Sequence, residues 1–180
     1  MKHWLLPLAG AGIALLVALG TNPAGMRNLR FHLGWYDRSA REAQIGETLK
    51  IFNRLFATFY ATGGRLEGLN DFPAGQMVKR RVFQDIFTFT EQNAILVYDR
   101  DLFQLKKVRF PDPERAVALA DEVWFLTLQE SATRKAKGPS KANRLQVRYL
   151  LRAEQGVWRV VDFEVYGPDD VVPDALPRGF

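Results

Sequence analysis

The chain has 180 residues, a net charge of +5, no cysteine and only two histidines, His3 and His32. The absence of cysteine excludes disulfides, thiolate catalysis and cysteine-ligated metals. Both histidines precede the predicted domain, so a histidine metal site and a Ser-His-Asp triad are excluded inside it. The modest charge lies mostly in two local clusters. We therefore predict no nucleic acid partner, no cofactor and no metal.

Residues 1–20 have the pattern of an export signal or a membrane anchor. The basic start Met1-Lys2-His3 precedes the uncharged run Trp4–Leu19, and Ala18-Leu19-Gly20 places small residues at a cleavage position. The run is shorter than the roughly 20 residues of a spanning helix, which favours a cleaved signal. Trp4, in contrast, could anchor a retained helix at the membrane interface.

The orientation of this leader is also ambiguous. Basic residues after an apolar segment favour the cytoplasmic side, and four of them follow closely: Arg27, Arg30, Arg38 and Arg41. Three alternatives stay open, namely a cleaved signal, an uncleaved anchor with an exported body, and a body that faces the cytoplasm. We expect the body to lie outside the cytoplasm, either held at the membrane by the leader or exported after its cleavage.

The pattern after the leader predicts a linker over residues 21–37, a domain over 38–167 and an extended tail over 168–180. A helix from about Arg38 carries one apolar stripe and ends at Gly63-Gly64. A second helix fits Gly75–Thr90. The stripe residues of the first helix are Ile45, Leu49, Phe52, Phe56 and Phe59, and those of the second are Val78, Val82, Ile86 and Phe89.

The pattern then changes to the period of strands. Ala94–Tyr98 and Leu102–Phe110 are two predicted strands, followed by a break at Pro111-Asp112-Pro113. Arg115–Gln129 is a long strand with apolar residues on both faces, which predicts a central position in the sheet. Ser131–Ala142 is a predicted loop.

The last two strands, Arg144–Ala153 and Val157–Tyr166, form a predicted hairpin. A three-residue loop, Glu154-Gln155-Gly156, would make the numbers of paired residues sum to 310. This register places Arg148 opposite Asp162 as an ion pair and Arg152 beside the Trp158 ring.

The closing strand reads Gly156-Val157-Trp158-Arg159-Val160-Val161-Asp162-Phe163. With helices first and long antiparallel strands after them, Ala40–Tyr166 resembles the nuclear transport factor 2-like superfamily, whose members commonly end with Gly-x-Trp-Arg-Val-x-Asp. The resemblance implies an α+β fold in which N-terminal helices pack in a strongly curved antiparallel sheet to form a cone. It carries little chemistry, because the superfamily includes isomerases, dehydratases, ligand binders and assembly modules.

One subgroup of that superfamily joins a short membrane anchor to such a domain in the periplasm. The chain is similar in length and architecture to this subgroup, the inner-membrane assembly components of type IV secretion systems. This resemblance implies a bacterial inner-membrane protein with its body in the periplasm, or exported after cleavage. Phe72-Pro73-Ala74-Gly75 is loosely similar to a proline–glycine turn of the subgroup, although the usual leading asparagine is absent.

No residue is assigned a catalytic role. If the cone were an active site, the candidates would be the acids Asp85, Asp121 and Asp162, with Tyr60 and Tyr149 as donors to an oxyanion. Each acid also has a purely structural explanation as a paired or solvated residue. Seven aromatic residues could line a ligand pocket, although residues at such helical and strand spacing usually fill the core: Phe56, Tyr60, Phe83, Phe87, Trp124, Tyr149 and Phe163.

A basic segment is the second candidate site. Five cations without an acid could contact anionic lipid or an acidic partner, or could simply be solvated. These are Arg134, Lys135, Lys137, Lys141 and Arg144.

Two functional hypotheses follow. The first is a non-enzymatic, membrane-associated scaffold domain that is a subunit of a larger envelope complex, with other subunits and further copies of itself as expected partners. The alternative is a small-molecule binder or isomerase-like enzyme that uses the cone. The alternative requires a pocket of several hundred Å³ in which an acid and a tyrosine converge.

Overall fold

A computed structural model describes residues 22–65, 67–177 and 180, and within them three helices precede a four-stranded antiparallel sheet. The predicted α+β class is therefore confirmed. The predicted leader, residues 1–20, lies outside the described residues. None of the helices formed by the described residues has the length and apolar character needed to cross a membrane.

The first helix, α1 (Pro23–His32), lies in the first of two compact units, Met1–Arg38, and the second unit is Ser39–Phe180. The linker predicted for residues 21–37 contains this helix, which the sequence pattern did not indicate. Asn22 caps α1, because its side chain accepts hydrogen bonds from the backbone N–H groups of Ala24 and Gly25 at 3.0 and 3.3 Å. Asparagine followed by proline is a helix start signal, which the high glycine and proline content obscured.

Two longer helices, α2 (Arg38–Thr62) and α3 (Gln76–Glu91), confirm the predicted pair. The chain leaves α2 through Gly63 and Gly64, whose φ angles of 69° and 84° suit glycine. Both helices bury the predicted apolar stripes. The fully buried stripe residues include Ile45, Leu49, Phe52 and Phe59 on α2, and Val78, Val82 and Ile86 on α3.

The sheet has the order β1-β2-β3-β4 and is not closed into a barrel. Its strands are β1 (Ala94–Asp112), β2 (Arg115–Glu130), β3 (Lys141–Glu154) and β4 (Val157–Tyr166). The central position predicted for β2 is confirmed, since it pairs with β1 and β3. The two strands predicted before it are one strand, because a register shift between Arg100 and Leu102 lets β1 continue through the polar residues there.

The predicted register of the β3–β4 hairpin is wrong. Gln155 and Gly156 alone form the loop, both with positive φ (53° and 81°), and Glu154 pairs with Val157. Two residues at positive φ are typical of a two-residue hairpin turn whose twist matches that of the strands. The predicted register allows a left-handed conformation only at the glycine, which makes the predicted loop one residue too long.

A register shift between Leu150 and Leu151 displaces the strand pairing by one more residue in the half of the hairpin that is farther from the loop. Arg148 therefore lies opposite Glu164 and binds it at 2.6 Å, so the predicted Arg148–Asp162 ion pair is wrong. Arg152 lies opposite Arg159 rather than Trp158. The shift also places Phe163 opposite Tyr149, on the side of the sheet that faces the helices.

The helices pack against one face of the sheet. Alternate residues of β2 on this face are small and fully buried, namely Ala116, Ala118 and Ala120. They belong to one core cluster with the apolar stripes of α2 and α3. The same row continues with Glu122 and Trp124, where the side chains become large and polar groups appear.

A short segment between the helices fixes the start of α3. The Val160 N–H donates to the Pro73 carbonyl and the Gly75 N–H donates to the Val160 carbonyl, both at 2.8 Å. A Cβ at Gly75 would lie 3.4 and 3.5 Å from Cγ1 and Cα of Val161 and 3.6 Å from the Val160 carbonyl oxygen, which are ordinary van der Waals distances. This contact positions α3 against β4.

The tail after Tyr166 forms no helix or strand in its described residues. Two arginines of the sheet hold it by its carbonyl groups: Arg109 donates to Asp174 at 2.7 Å and Arg148 donates to Ala175 at 3.0 Å. The described part of the tail therefore contacts the sheet.

Candidate functional site

A pocket of about 470 Å³ lies between the two long helices and the sheet. Every element of this unit contributes to its walls. The lining residues are Phe52, Asn53, Phe56 and Tyr60 of α2, Arg81 and Asp85 of α3, Tyr98 of β1, Glu122, Trp124 and Leu126 of β2, Leu145, Val147 and Tyr149 of β3, and Phe163 and Val165 of β4.

Seven of the fifteen lining residues are aromatic. The Phe56 ring centroid lies 4.8 Å from that of Tyr60 and 5.3 Å from that of Tyr98, and the Tyr60 and Tyr98 centroids are 5.1 Å apart. Tyr98 meets Trp124 edge to face at 5.7 Å. The rings support one another at angles that aromatic pairs prefer, so they form a preorganised surface.

A buried carboxylate lies in this aromatic wall. Glu122 is 2% exposed, and its Oε1 accepts hydrogen bonds from the Tyr149 hydroxyl at 2.6 Å and from Asn53 Nδ2 at 3.1 Å. Its Oε2 accepts a hydrogen bond from Trp124 Nε1 at 2.5 Å. Three donors from three different elements therefore hold one acid.

Burial dominates the acid–base properties of this group. Desolvation raises the pKa of Glu122 above its usual value, although the hydrogen bonds from Tyr149, Trp124 and Asn53 act in the opposite direction. Burial also raises the pKa of Tyr149, and the neighbouring Glu122 charge adds to this. Tyr149 consequently remains a donor, and Glu122 is an acceptor that binds a proton more readily than an exposed glutamate.

A second acid–tyrosine pair lies in the exposed part of the lining. The Tyr60 hydroxyl donates to Asp85 Oδ2 at 3.1 Å, and the Asp85 residue is exposed. Burial raises the pKa of Tyr60 well above its usual value. Burial, with the Asp85 charge as a second cause, raises the pKa of Tyr98 to about 12. Both tyrosines are therefore neutral at physiological pH.

Two arginines lie near these acids. Arg81 lines the pocket but is paired with Asp162 at 2.9 Å, and its guanidinium carbon is 5.6 Å from the Phe163 ring centroid. Arg100 lies beside Trp124, 5.8 Å from that ring, and its charge lowers the pKa of Glu122. Its Nη1 atom is buried without a hydrogen-bond partner among the described residues.

The structure brings together five of the seven aromatic residues predicted for a pocket: Phe56, Tyr60, Trp124, Tyr149 and Phe163. The other two lie elsewhere. Phe83 packs on Phe59 in the core, with ring centroids 5.5 Å apart, and Phe87 is 63% exposed on the surface.

The three candidate acids are separated. Asp85 lines the pocket with Tyr60. Asp162 pairs with Arg81 outside the lining, and Asp121 binds Lys106 at 3.3 Å. The acid at the centre of the site, Glu122, was missed, although it is the one charged residue in the alternate series Ala118, Ala120, Glu122, Trp124 and Leu126.

The predicted basic site is an exposed segment in which two cations bind backbone carbonyls. Arg134 Nη1 donates to Ala61 at 2.6 Å in the last turn of α2, and Lys137 Nζ donates to Gln92 at 3.1 Å just after α3. Cations at these positions stabilise helix C-termini. Lys135 is also exposed in this loop, whereas Lys141 and Arg144 belong to β3 and have exposed side chains.

The lining residues offer little to a metal ion. No group of three His, Asp or Glu side chains able to hold one occurs in the part of the chain that the structure describes. The pocket instead offers aromatic faces, carboxylates and a few hydrogen-bonding groups.

Comparison with known proteins supports the fold alone. No family model matches the sequence, and no curated protein matches it. Among solved structures, the chain is similar to the intermembrane space region of the chloroplast protein ARC6, with a TM-score of 0.59 and 14% sequence identity. The match covers 73% of this chain and 98% of that one.

Proposed function

We propose that this domain binds a small organic molecule in the pocket between α2, α3 and the sheet. The observation that carries the proposal is the open volume of about 470 Å³ around the buried Glu122 carboxylate. Ligand sites typically have volumes of roughly 300–1,000 Å³ and combine apolar walls with a few convergent polar groups. Protein interiors are close-packed, so a space between a helix and a sheet that had no ligand to bind would be filled by side chains.

A small-molecule site requires a pocket of several hundred Å³ in which an acid and a tyrosine converge. The pocket meets this requirement, which supports placing ligand binding ahead of the scaffold role. Glu122 converges with Tyr149, and Asp85 converges with Tyr60, inside one cavity. We propose binding rather than catalysis, because the Glu122 oxygens are occupied by three protein donors that hold them in place.

We also propose that the domain has the cone-shaped fold of the nuclear transport factor 2-like superfamily. The support is the order of elements, with α2 and α3 before an antiparallel sheet, and the position of the pocket between them. In this arrangement the open end of the sheet surrounds a ligand while the alanine-lined end is packed with helix side chains.

Narrowing the pocket should weaken ligand binding. Val165 lines the cavity and is 52% exposed, so a tryptophan there can be accommodated without disturbing the core. We expect Val165→Trp to weaken binding of the neutral fluorescent probe N-phenyl-1-naphthylamine by about tenfold or more, since the ring occupies ligand volume. Fluorescence titration measures the affinity.

The matched control is Val157→Trp. Val157 belongs to the same strand and is 54% exposed, but it lies outside this pocket. It should bind the probe as tightly as the unmodified protein. Equal affinity in all three proteins, or no binding by the unmodified protein, would contradict the proposed function.

A scaffold role in a membrane complex is the second candidate. Its support is the apolar leader sequence, together with the fold likeness to a region described as lying in an intermembrane space. Such a subunit should copurify with other envelope proteins from detergent-solubilised membranes. Recovery only as a free monomer would remove this candidate.

A further inference from the structure

We propose that the pocket selects a cationic amine, a tertiary or quaternary ammonium group carried on an apolar body. The inference rests on the proposed ligand-binding function and specifies the chemical class of the ligand. It stands on the combination of aromatic rings and acids in one cavity, a combination that neither a purely apolar ligand nor an anion would use.

The aromatic wall provides the first part of a cation site. Tyr60, Tyr98 and Trp124 lie around one cavity with Phe56, and their centroids are 4.8 to 5.7 Å from the nearest neighbouring ring. The face of an aromatic ring carries partial negative charge, and several rings around one cavity attract a desolvated ammonium group. An ammonium group cannot accept a hydrogen bond, so donors in a pocket do not bind it, whereas a wall of aromatic rings suits it.

The acids provide the second part. The charged residues that line the cavity are Glu122, Asp85 and Arg81. Arg81 is neutralised by Asp162 at 2.9 Å and lies against the Phe163 ring. When Glu122 is ionised, the lining is therefore net negative, and an anionic ligand would meet Glu122 and Asp85 without a free cation among the lining residues to balance it.

Glu122 is positioned to respond to a bound cation. Its oxygens face donors from α2, β2 and β3 (Asn53, Trp124 and Tyr149), and Arg100 of β1 is the nearby cation that lowers its pKa. Burial raises that pKa in the free protein, and a positive charge in the cavity would lower it again. Cation affinity should consequently rise with pH through the Glu122 titration and level off above it, because only the ionised acid attracts the ligand.

A matched pair of ligands tests the inference. Benzyltrimethylammonium and neopentylbenzene have the same shape and differ in a quaternary nitrogen against a quaternary carbon. We expect the cation to bind the full chain about tenfold more tightly than the neutral compound, measured by chemical-shift titration in the presence of identical salt. The preference should increase from pH 5 to pH 8.

Three variants identify the source of the preference. Glu122→Gln should reduce cation affinity about tenfold and remove most of its pH dependence, while the affinity of the neutral compound stays within about twofold. Asp85→Asn, at an exposed residue, should reduce cation affinity by a smaller factor and serves if Glu122→Gln does not fold. Asp121→Asn removes the same charge from a residue outside the pocket and should change neither affinity.

The outcomes separate this inference from the proposed function. Equal binding of the two ligands, or tighter binding of neopentylbenzene, would overturn the cation inference and leave a neutral-ligand pocket. Equal losses in Asp121→Asn and Glu122→Gln would also overturn it, since the preference would then reflect net charge. Absence of binding by both ligands, together with no binding of the neutral probe, would overturn the proposed function itself.

Discussion

Replacing Glu122 with alanine should lower the free energy of unfolding by about 3 kcal/mol at pH 7. The substitution removes the acceptor of three hydrogen bonds, those from Trp124, Asn53 and Tyr149. Only the Tyr149 hydroxyl keeps an alternative acceptor, Asn53 Oδ1 at 3.0 Å. A buried donor without a partner costs about 1–3 kcal/mol, so the other two donors account for the loss. Urea denaturation measures it.

The pH dependence gives the same prediction a second test. Because the folded pKa of Glu122 is raised above its unfolded value, this group contributes stability that is fully present below the unfolded pKa of about 4.5. That contribution is lost as pH rises through the folded pKa. The destabilisation by Glu122→Ala should therefore be larger at pH 5 than at pH 8.

The control for this experiment is Asp121→Ala, which removes the neighbouring acid of the same strand. Asp121 is only partly buried and bound to Lys106, and such surface pairs contribute about 0–1 kcal/mol. A Glu122→Ala variant as stable as the Asp121→Ala variant would show that the three hydrogen bonds do not stabilise the fold.

The helices and the central strand could be predicted because their patterns are local. Ile45, Leu49 and Phe52 recur at helical spacing, and glycine follows where the helix ends. Arg115–Gln129 has apolar residues on both faces, which suffices to place it inside a sheet. These features depend on residues that are near one another in the chain.

The hairpin register could not be predicted in this way. It depends on whether Gln155 adopts a positive φ and on a bulge beside Leu151, and neither has a clear sequence signal. A one-residue error changes every cross-strand partner. The pairing of Tyr149 with Phe163, which contributes to the pocket wall, was lost for this reason.

Glu122 was missed for a different reason. The candidate acids are aspartates that lie beside apolar positions in predicted elements, whereas Glu122 is one of many alternating residues in its strand. The available signal was the row from Ala118 to Leu126 on a strand predicted to be central, in which Glu122 is the one charged side chain. A charged residue in such a row must be paired or functional, because burial of an unpaired charge is costly. The open pocket itself has no sequence signal, since aromatic residues at these spacings fill most cores.

Phe52→Ala should destabilise the domain most, by about 3–5 kcal/mol. Phe52 is 2% exposed, and its ring contacts four others: Phe72 at 5.0 Å, Phe163 at 5.8 Å, and Phe56 and Tyr149 at 5.9 Å each. Truncation removes a ring that separates the packed core from the pocket, and the neighbours can collapse only partly because they are held by the sheet.

Ile51→Ala, at the preceding and 37% exposed residue, is the control and should cost less than about 1 kcal/mol. Thermal and urea denaturation of both variants measure the difference. Similar stabilities would mean that Phe52 borders open pocket space rather than the packed core, and the boundary between the two would then lie deeper in the domain.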